Sequence, residues 1–291
     1  MDKEFAGPIG RDEADDDRFT ASDRSGVPGQ NQNYSTITAN FTGGQGKTLT
    51  GMLVRQALAD AGVAVKLVSI DTQAGSGERS KLGLMHPETQ DLAISPDMGV
   101  LTETHGEMLL DHWDGFASVL RGRNFVADMG ANVIGTMLEW ARVASPVRIM
   151  GGRPVNFLVV TTKEEQSVND ALRVIDAIER TRDAMAIGRI GVVMNESRGA
   201  FSEGAGHVAR LREVVTRNNY PVITLPFCNS FSQADSFSIA RLRAMTYAEY
   251  QKARGIAEEL TAMRQLDRIH SWIDGAVSAI RDAGFAPAKI A

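Results

Sequence analysis

Short apolar runs alternate with segments of helical periodicity along most of the chain. Runs typical of buried strands occupy positions 35–41, 63–70, 124–128, 155–161, 190–194 and 221–225, with shorter strand-like fragments at 92–94 and 99–101. Apolar residues recur at helical spacing over 49–57, 106–120, 133–144, 168–178 and 207–217. Because strands buried on both faces have nearly uninterrupted apolar sequences, this alternation predicts a doubly wound, mostly parallel α/β sheet with helices on both faces.

The two ends of the chain differ from this central part. Residues 1–33 are rich in Asp, Gly, Ser, Gln and Asn and lack apolar periodicity, which predicts a disordered acidic tail. Residues 34–245 are expected to form the α/β domain. Residues 246–291 are expected to form a C-terminal helical extension packed on that domain, through an apolar stripe of Leu266, Ile269, Ile273, Val277 and Ile280.

Composition favours a cytoplasmic protein. The chain has 291 residues, 43% of them hydrophobic, and no apolar run approaches the length of a membrane span. The single cysteine, Cys228, excludes a disulfide framework within one chain. The acidic residues of the C-terminal helix argue against membrane-surface binding. The net charge is −5, of which the tail carries −4, so the charge of the folded part argues neither for nor against nucleic-acid binding.

A glycine-rich turn stands between the first predicted strand and the first predicted helix. Its sequence is Thr42-Gly43-Gly44-Gln45-Gly46-Lys47-Thr48, a variant of the phosphate-binding P-loop with Phe41 in place of the first glycine. Glycines let successive backbone N–H groups point inward, and the following helix adds the positive end of its dipole. The expected phosphate-binding residues are Gly43, Gly44, Gln45, Gly46, Lys47, Thr48 and Leu49. The alternative is an ordinary glycine-rich turn.

Two acids end predicted strands downstream of this loop. Asp128 follows Phe-Val-Ala and is expected, together with the Thr48 hydroxyl, to hold Mg²⁺ directly or through water. Asp71 ends the second strand and could orient an attacking water or bind a magnesium-bound one. Carboxyl ends of parallel strands meet at one edge of a sheet, so the acids and the loop should cluster. The alternative role for either acid is to cap the next turn.

Together these segments resemble a known family. The Gly-Gly-x-Gly-Lys-Thr loop, the strand ending Ile-Asp-Thr-Gln, the strand ending at Asp128 and the Val-Val-Met-Asn strand are similar to deviant-Walker ATPases of the ParA/MinD superfamily. The resemblance covers about residues 35–245. The segments 40–43 and 128–132 are also similar to plasmid-borne, StbB-like stability and conjugation proteins.

The resemblance implies ATP and Mg²⁺ as cofactors and a homodimer that forms on ATP binding. In that superfamily the dimer binds a surface such as nonspecific DNA or a membrane, and a partner protein stimulates hydrolysis. Carried over by position, Lys47 and Asp71 are the catalytic candidates, and Asn195, with the backbone near Pro226 and Phe227, would face adenine. Binding to nonspecific DNA would associate the protein with the nucleoid.

One departure from the family concerns the first residue of the loop. ParA-type loops carry a signature lysine, which crosses the dimer interface, where this chain has Thr42. A hydroxyl cannot supply the same electrostatic stabilisation. Either another cation substitutes, hydrolysis is slow, or the dimer differs, and Thr42 remains the candidate for the dimer interface. The family's Asp-x-Asp-Pro-Gln motif is likewise reduced to Ser69-Ile70-Asp71-Thr72-Gln73.

A basic stretch lies close to the family's DNA-contacting region. The candidates for DNA binding are Arg241, Arg243, Lys252 and Arg254, since phosphate neutralisation needs basic residues on one face. A solvated helix face is the alternative.

Three functions are compatible with these features. The leading one is a slow, magnesium-dependent ATPase that positions or partitions DNA or another cargo. The second is a nucleotide-binding adaptor in plasmid stability or conjugation, with little turnover. The third is a metabolic ligase of the dethiobiotin-synthetase kind, which has the same fold.

Overall fold

The computed structural model describes residues 32–71, 79–93, 107–131 and 133–288, with the backbone alone for 71, 93 and 107–112. All the elements below belong to the compact unit Asn33–Ala291. The predicted tail lies outside the described residues except for its last two, and so does the predicted strand fragment at 99–101.

Within the described ranges, seven parallel strands form one sheet, in the order β3-β2-β4-β1-β5-β6-β7. Their bounds are β1 Thr36–Ala39, β2 Lys66–Asp71, β3 Gln90–Ala93, β4 Phe125–Met129, β5 Val155–Thr161, β6 Ile187–Asn195 and β7 Val222–Leu225. β1 lies between β4 and β5, so the strand order reverses beside it. In open α/β sheets, ligands bind at such a reversal, above the carboxyl ends of the strands.

Helices connect these strands and continue beyond the last of them. Their bounds are α1 Lys47–Asp60, α2 Lys81–Met85, α3 Glu107–Leu120, α4 Val133–Ala144, α5 Glu165–Glu179, α6 Gly206–Arg217, α7 Asn229–Ser232, α8 Ile239–Ala244, α9 Tyr247–Arg254 and α10 Glu259–Asp282. No helix among the described residues has the length and apolar character needed to cross a bilayer.

The sheet separates two hydrophobic clusters. Along β5, Phe157 and Val159 face one cluster and Leu158 faces the other, as expected for side chains that alternate along a strand. The first cluster contains the buried residues of α3, α4, α5 and α6, and the second contains those of α1, α8, α9 and α10. The predicted parallel sheet with helices on both faces is therefore confirmed.

The C-terminal segment is helical, as predicted. Within it, α9 ends at Gly255, which has a φ of 62° and stands in the left-handed region that favours glycine. The apolar stripe predicted for this segment is buried along α10, in the same cluster as α1. The division of the chain at residues 245 and 246 stays a prediction.

Candidate functional site

The loop between β1 and α1 has the backbone expected of a phosphate-binding turn. Gly44 and Gly46 have φ values of 71° and 94°, which only glycine adopts without strain. A Cβ on Gly46 would also lie 2.4 Å from the Nδ2 atom of Asn195, so a side chain there would have to displace the buried Asn195 amide from its hydrogen bond with Gln45. The turn leads directly into the N-terminus of α1 at Lys47, where the N–H groups of the first turn and the helix dipole favour an anion.

The side chain of Gln45 fixes the conformation of this loop through hydrogen bonds. It is buried, donates from Nε2 to the Gly43 carbonyl at 2.8 Å, and accepts at Oε1 from the hydroxyls of Thr162 and Ser167, each at 2.6 Å. The Nδ2 atom of Asn195 donates to the Gln45 carbonyl at 2.8 Å. Buried hydrogen bonds of this kind fix the loop before any ligand arrives. The sequence places Gln45 in the loop but does not show that its side chain joins the loop to Thr162 and Ser167.

Thr42 is fixed at three atoms. Its N–H donates to Asn40 Oδ1 at 3.0 Å, its carbonyl accepts from Lys47 Nζ at 2.9 Å, and its hydroxyl donates to Asp170 Oδ2 at 2.5 Å. Burial of Asp170 opposes its ionisation, yet hydrogen bonds from Thr42, Gln166 and Arg173 leave its pKa below the usual value. The residue at the position of the signature lysine is thus a neutral donor to an ionised carboxylate.

A cation stands beside the exposed part of the loop. Arg198 Nη1 donates to Glu164 Oε1 at 2.8 Å, and Arg198 Nη2 lies 3.2 Å from the place that a Cβ on Gly44 would take. Hydrogen bonds from Arg198 and Thr162 lower the pKa of Glu164. Arg198 therefore places a guanidinium beside the loop, although its ion pair with Glu164 reduces the net positive charge there.

Thr48 and Asp128 form a pair of oxygen ligands at the start of α1. The Thr48 hydroxyl donates to Asp128 Oδ2 at 2.6 Å, and Asp128 Oδ1 accepts from the Thr38 hydroxyl at 3.2 Å. Hydroxyl and carboxylate oxygens suit Mg²⁺, which takes one or two protein ligands and completes its shell with phosphates and water. The described residues contain no cluster of three or more His, Cys, Asp or Glu side chains arranged to hold a metal without such help.

Asp71 can be located by its backbone. It ends β2, where it pairs with Ala93, and it lies two residues beyond Ser69, the partner of Asp128 in the β2–β4 register. The backbone thus ends at the same edge of the sheet as Asp128. Its catalytic role stays a prediction.

A cavity of about 680 Å³ lies above this edge of the sheet. It brings together nearly all the residues that the sequence assigns to phosphate, magnesium and base, from four separate strand ends: 43–49, Asp128, Asn195, Pro226 and Phe227. Several further lining residues could not be found from local sequence patterns, since they lie far along the chain, in α7, in the turn after it and in α10: Phe231, Ser232, Asp235 and Trp272.

Asn195 has a different environment from the one expected for an adenine contact. Its side chain is 5% exposed, and its amide is engaged at both ends: Nδ2 donates to Gln45, and Oδ1 accepts from the Ser197 N–H at 3.1 Å. Asn195 lines the cavity, but its side chain chiefly joins the end of β6 to the phosphate loop.

The four basic candidates for DNA binding do not form one free cationic face. Arg243 is half-buried and donates to Asp60 and Asp274 at 2.8–2.9 Å. Arg254 is also half-buried, and its side chain contacts Tyr250. Arg241 and Lys252 are exposed and line one surface depression together with Glu249, which reduces its net positive charge.

Comparison with known proteins gives a family and distant structural similarities. A family model described as the CobQ/CobB/MinD/ParA nucleotide binding domain matches residues 36–240, more than two thirds of the chain. Curated protein sequences give no match.

Among solved structures, apo McdA from Cyanothece is similar at 14% identity, over 79% of this chain and 98% of that one, with a TM-score of 0.46. The MinD cell division protein of Aquifex aeolicus is similar at 15% identity, over 81% and 97% of the two chains, with a TM-score of 0.42. At these identities and scores, the similarity carries no conclusion about ligands or partners.

Proposed function

This chain belongs to the family of CobQ/CobB/MinD/ParA nucleotide-binding domains, and on that premise we propose that it is a slow, magnesium-dependent ATPase switch of the ParA kind. The observation that carries the proposal is the cavity in which the glycine turn, Lys47, and the Thr48–Asp128 pair meet. Beside that turn, the half-buried Thr48 hydroxyl and the buried Asp128 carboxylate offer the kind of oxygen ligands that Mg²⁺ takes when it accompanies a bound phosphate.

Each residue has a separate task in this proposal. The backbone of residues 43–49 binds the phosphates, and Lys47, whose ammonium group donates to the Thr42 carbonyl, gains an anionic acceptor. Thr48 and Asp128 hold Mg²⁺, which neutralises charge on the phosphates. Asp71, at the same edge, orients the attacking water. Arg198, whose Nη2 atom lies 3.2 Å from the place of a Cβ on Gly44, replaces part of the missing lysine charge.

The larger cycle follows the family. ATP binding produces a homodimer with Thr42 at or near the interface, the dimer binds nonspecific DNA or another cargo in the cytoplasm, and a partner protein stimulates hydrolysis. Arg241 and Lys252 are the better candidates for DNA contact, because Arg243 and Arg254 are occupied within the fold. A role in plasmid stability or conjugation accords with the StbB-like segments of the sequence.

Sedimentation velocity tests the switch. The protein is compared with Mg-ATP, with Mg-ADP and without nucleotide, as wild type, Lys47→Ala and Lys66→Ala. Lys66 is an exposed lysine at the amino end of β2, away from the cavity, and serves as the matched control. We expect an ATP-specific dimer in wild type and Lys66→Ala that is absent in Lys47→Ala. A wild-type protein that stays monomeric and fails to bind ATP contradicts the proposal.

A second function is favoured by one observation, the contact between Thr42 and Asp170. An uncharged donor tied to a carboxylate offers no stabilisation to the charge that develops on a transferred phosphoryl group. This favours a nucleotide-binding adaptor with little turnover. Phosphate release measured with DNA present separates the two functions: ATP-dependent dimerisation without phosphate release supports the adaptor.

A further inference from the structure

The cavity has a second lysine besides Lys47. Lys81, the first residue of α2, is exposed and lines the cavity together with Ser69 and Asp128. Lys47 and Lys81 are the two cations among the described residues of the lining, and Asp128 and Asp235 are the two acids. Without Lys81, the charged side chains of this lining would carry a net negative charge, which opposes the binding of a triphosphate.

Contacts with β3 fix α2, and with it the backbone of Lys81. The Ser80 hydroxyl accepts from the Gly83 N–H at 2.9 Å and donates to Asp91 Oδ1. A Cβ on Gly83 would lie 2.7 Å from Asp91 Oδ2, which shows how closely α2 approaches the strand. Asp91 is also paired with Arg79, whose Nε lies 3.6 Å from Oδ2. The acid of β3 is therefore engaged by other residues, and Lys81 remains beside the cavity on a fixed helix.

The order of the strands places Lys81 at one end of the cavity. α2 connects β2 to β3, on the side of β1 where Ser69 pairs with Asp128 in the β2–β4 register. Asn195 and Pro226 lie at the ends of β6 and β7, on the other side of β1. In the proposed function, a triphosphate whose Mg²⁺ is held at Asp128 therefore has its terminal phosphate on the side of α2.

We propose that Lys81 binds the terminal phosphate of ATP and so supplies, from α2, part of the positive charge that Thr42 cannot supply. The proposal rests on the nucleotide function above and adds the residue that distinguishes ATP from ADP. A lysine ammonium binds phosphate oxygens through charge-assisted hydrogen bonds and moves on a flexible stem. The helix itself does not account for this lysine, since a cation is unfavourable at the start of a helix. ADP lacks the terminal phosphate, so ATP alone makes the contact.

Calorimetry measures this contact, with Mg-ADP and with the magnesium complex of a non-hydrolysable ATP analogue as the two ligands. Lys81→Met removes the charge and keeps an apolar stem. It should weaken binding of the analogue about tenfold and leave the affinity for ADP within about twofold of wild type. Lys81→Arg, which keeps a cation, should bind the analogue within about threefold of wild type. Lys66→Met, the same change at an exposed lysine outside the cavity, should bind both ligands as wild type does.

A reversal of the charge gives a second measurement. Lys81→Glu should weaken binding of the analogue further than Lys81→Met does, because it places a like charge beside the phosphate. Since Lys81 is exposed, both variants should unfold in urea at the midpoint of wild type, which separates a loss of affinity from a loss of folding.

The outcomes distinguish this inference from the function on which it rests. If Lys81→Met weakens the analogue and ADP equally, or leaves both affinities unchanged, Lys81 does not bind the terminal phosphate. In those cases nucleotide binding that depends on Lys47 still supports the nucleotide function. If wild type binds no nucleotide, both proposals are overturned.

Discussion

Asp60 joins the helix that begins at the phosphate loop to the C-terminal helix. It lies at the end of α1 and accepts from Gln56 Nε2 at 2.7 Å, from Arg243 Nη1 at 2.8 Å and from Arg281 Nη2 at 2.9 Å. Arg243 also donates to Asp274 of α10 at 2.9 Å. Replacing Asp60 by Ala leaves Arg281 without this anion, while Arg243 keeps Asp274. We therefore expect Asp60→Ala to destabilise the fold.

The size of the effect follows from the burial of the cluster. The side chains of Asp60 and Arg281 are 18% and 14% exposed, and that of Arg243 is 31% exposed. Breaking a fully buried ion pair costs about 3–5 kcal/mol, and removing an exposed one costs about 1 kcal/mol or less. This cluster is intermediate, so the free energy of unfolding should fall by about 2–3 kcal/mol. With a slope of about 3 kcal/mol per molar urea, the unfolding midpoint falls by about 1 M.

Urea unfolding at neutral pH, followed by circular dichroism, measures this change. The control is Asp176→Ala, which removes an exposed ion pair within one helix, between Asp176 Oδ2 and Arg180 Nη2 at 2.7 Å. This substitution should change the free energy of unfolding by about 0.5 kcal/mol or less. If Asp60→Ala lowers the midpoint no more than Asp176→Ala does, the cluster acts as an ordinary surface ion pair and the reasoning is refuted.

The same cluster predicts a pH dependence. Burial alone would raise the pKa of Asp60, but the hydrogen bonds from Gln56, Arg243 and Arg281 hold it below the usual value. A carboxyl whose pKa is lower in the folded state stabilises the protein above its unfolded pKa, and this stability is lost as the pH falls through the folded pKa. The stability difference between wild type and Asp60→Asn should thus be constant near neutrality and shrink below about pH 4.

Three further predictions concern the site and the surface. Gly46→Ala should abolish ATP binding and lower the free energy of unfolding by about 1–3 kcal/mol, because the new Cβ meets Asn195 and the backbone φ is 94°. Calorimetry and urea unfolding measure the two effects, and normal ATP binding would refute the prediction. Asp128→Asn should raise the magnesium concentration needed for ATP hydrolysis about 10- to 100-fold, as measured by a magnesium titration, and an unchanged requirement would exclude Asp128 as a ligand. If Arg241 and Lys252 contact DNA, their double replacement by Ala should reduce the slope of log affinity against log salt concentration by about 2; an unchanged slope places the DNA contact elsewhere.

Much of the fold could be predicted because the strands are buried on both faces. The strand at Val155–Thr161 and the helix at Val133–Ala144 have the predicted bounds, since uninterrupted apolar sequence and helical periodicity leave little ambiguity there. The prediction gives no boundary at Gly255, although a glycine that follows basic residues is typical of a helix C-terminus.

Only part of the candidate site could be predicted from the sequence. Residues that follow strands converge at one edge of a parallel sheet, so the loop, Asp128 and Pro226 could be assigned from sequence order. Trp272 could not, because the apolar stripe of α10 indicates which face is buried but not which helix or loop it meets. The partner of Thr42 is equally inaccessible, since Asp170 lies 128 residues along the chain.

The contact between Thr42 and Asp170 indicates that the surroundings of position 42 are arranged for a neutral residue and not for a lysine. If lysine had simply been lost, the surrounding groups would still be arranged for a cation that points away from the loop. Here the hydroxyl is a short hydrogen-bond donor to a buried carboxylate, which Gln166 and Arg173 also bind. An ammonium group introduced at this position would meet that carboxylate before it met a phosphate on a second subunit. The loop is therefore built around a neutral residue, and in the proposed function the positive charge for the phosphates comes from Lys47, from Mg²⁺ and from Arg198 at the rim of the loop.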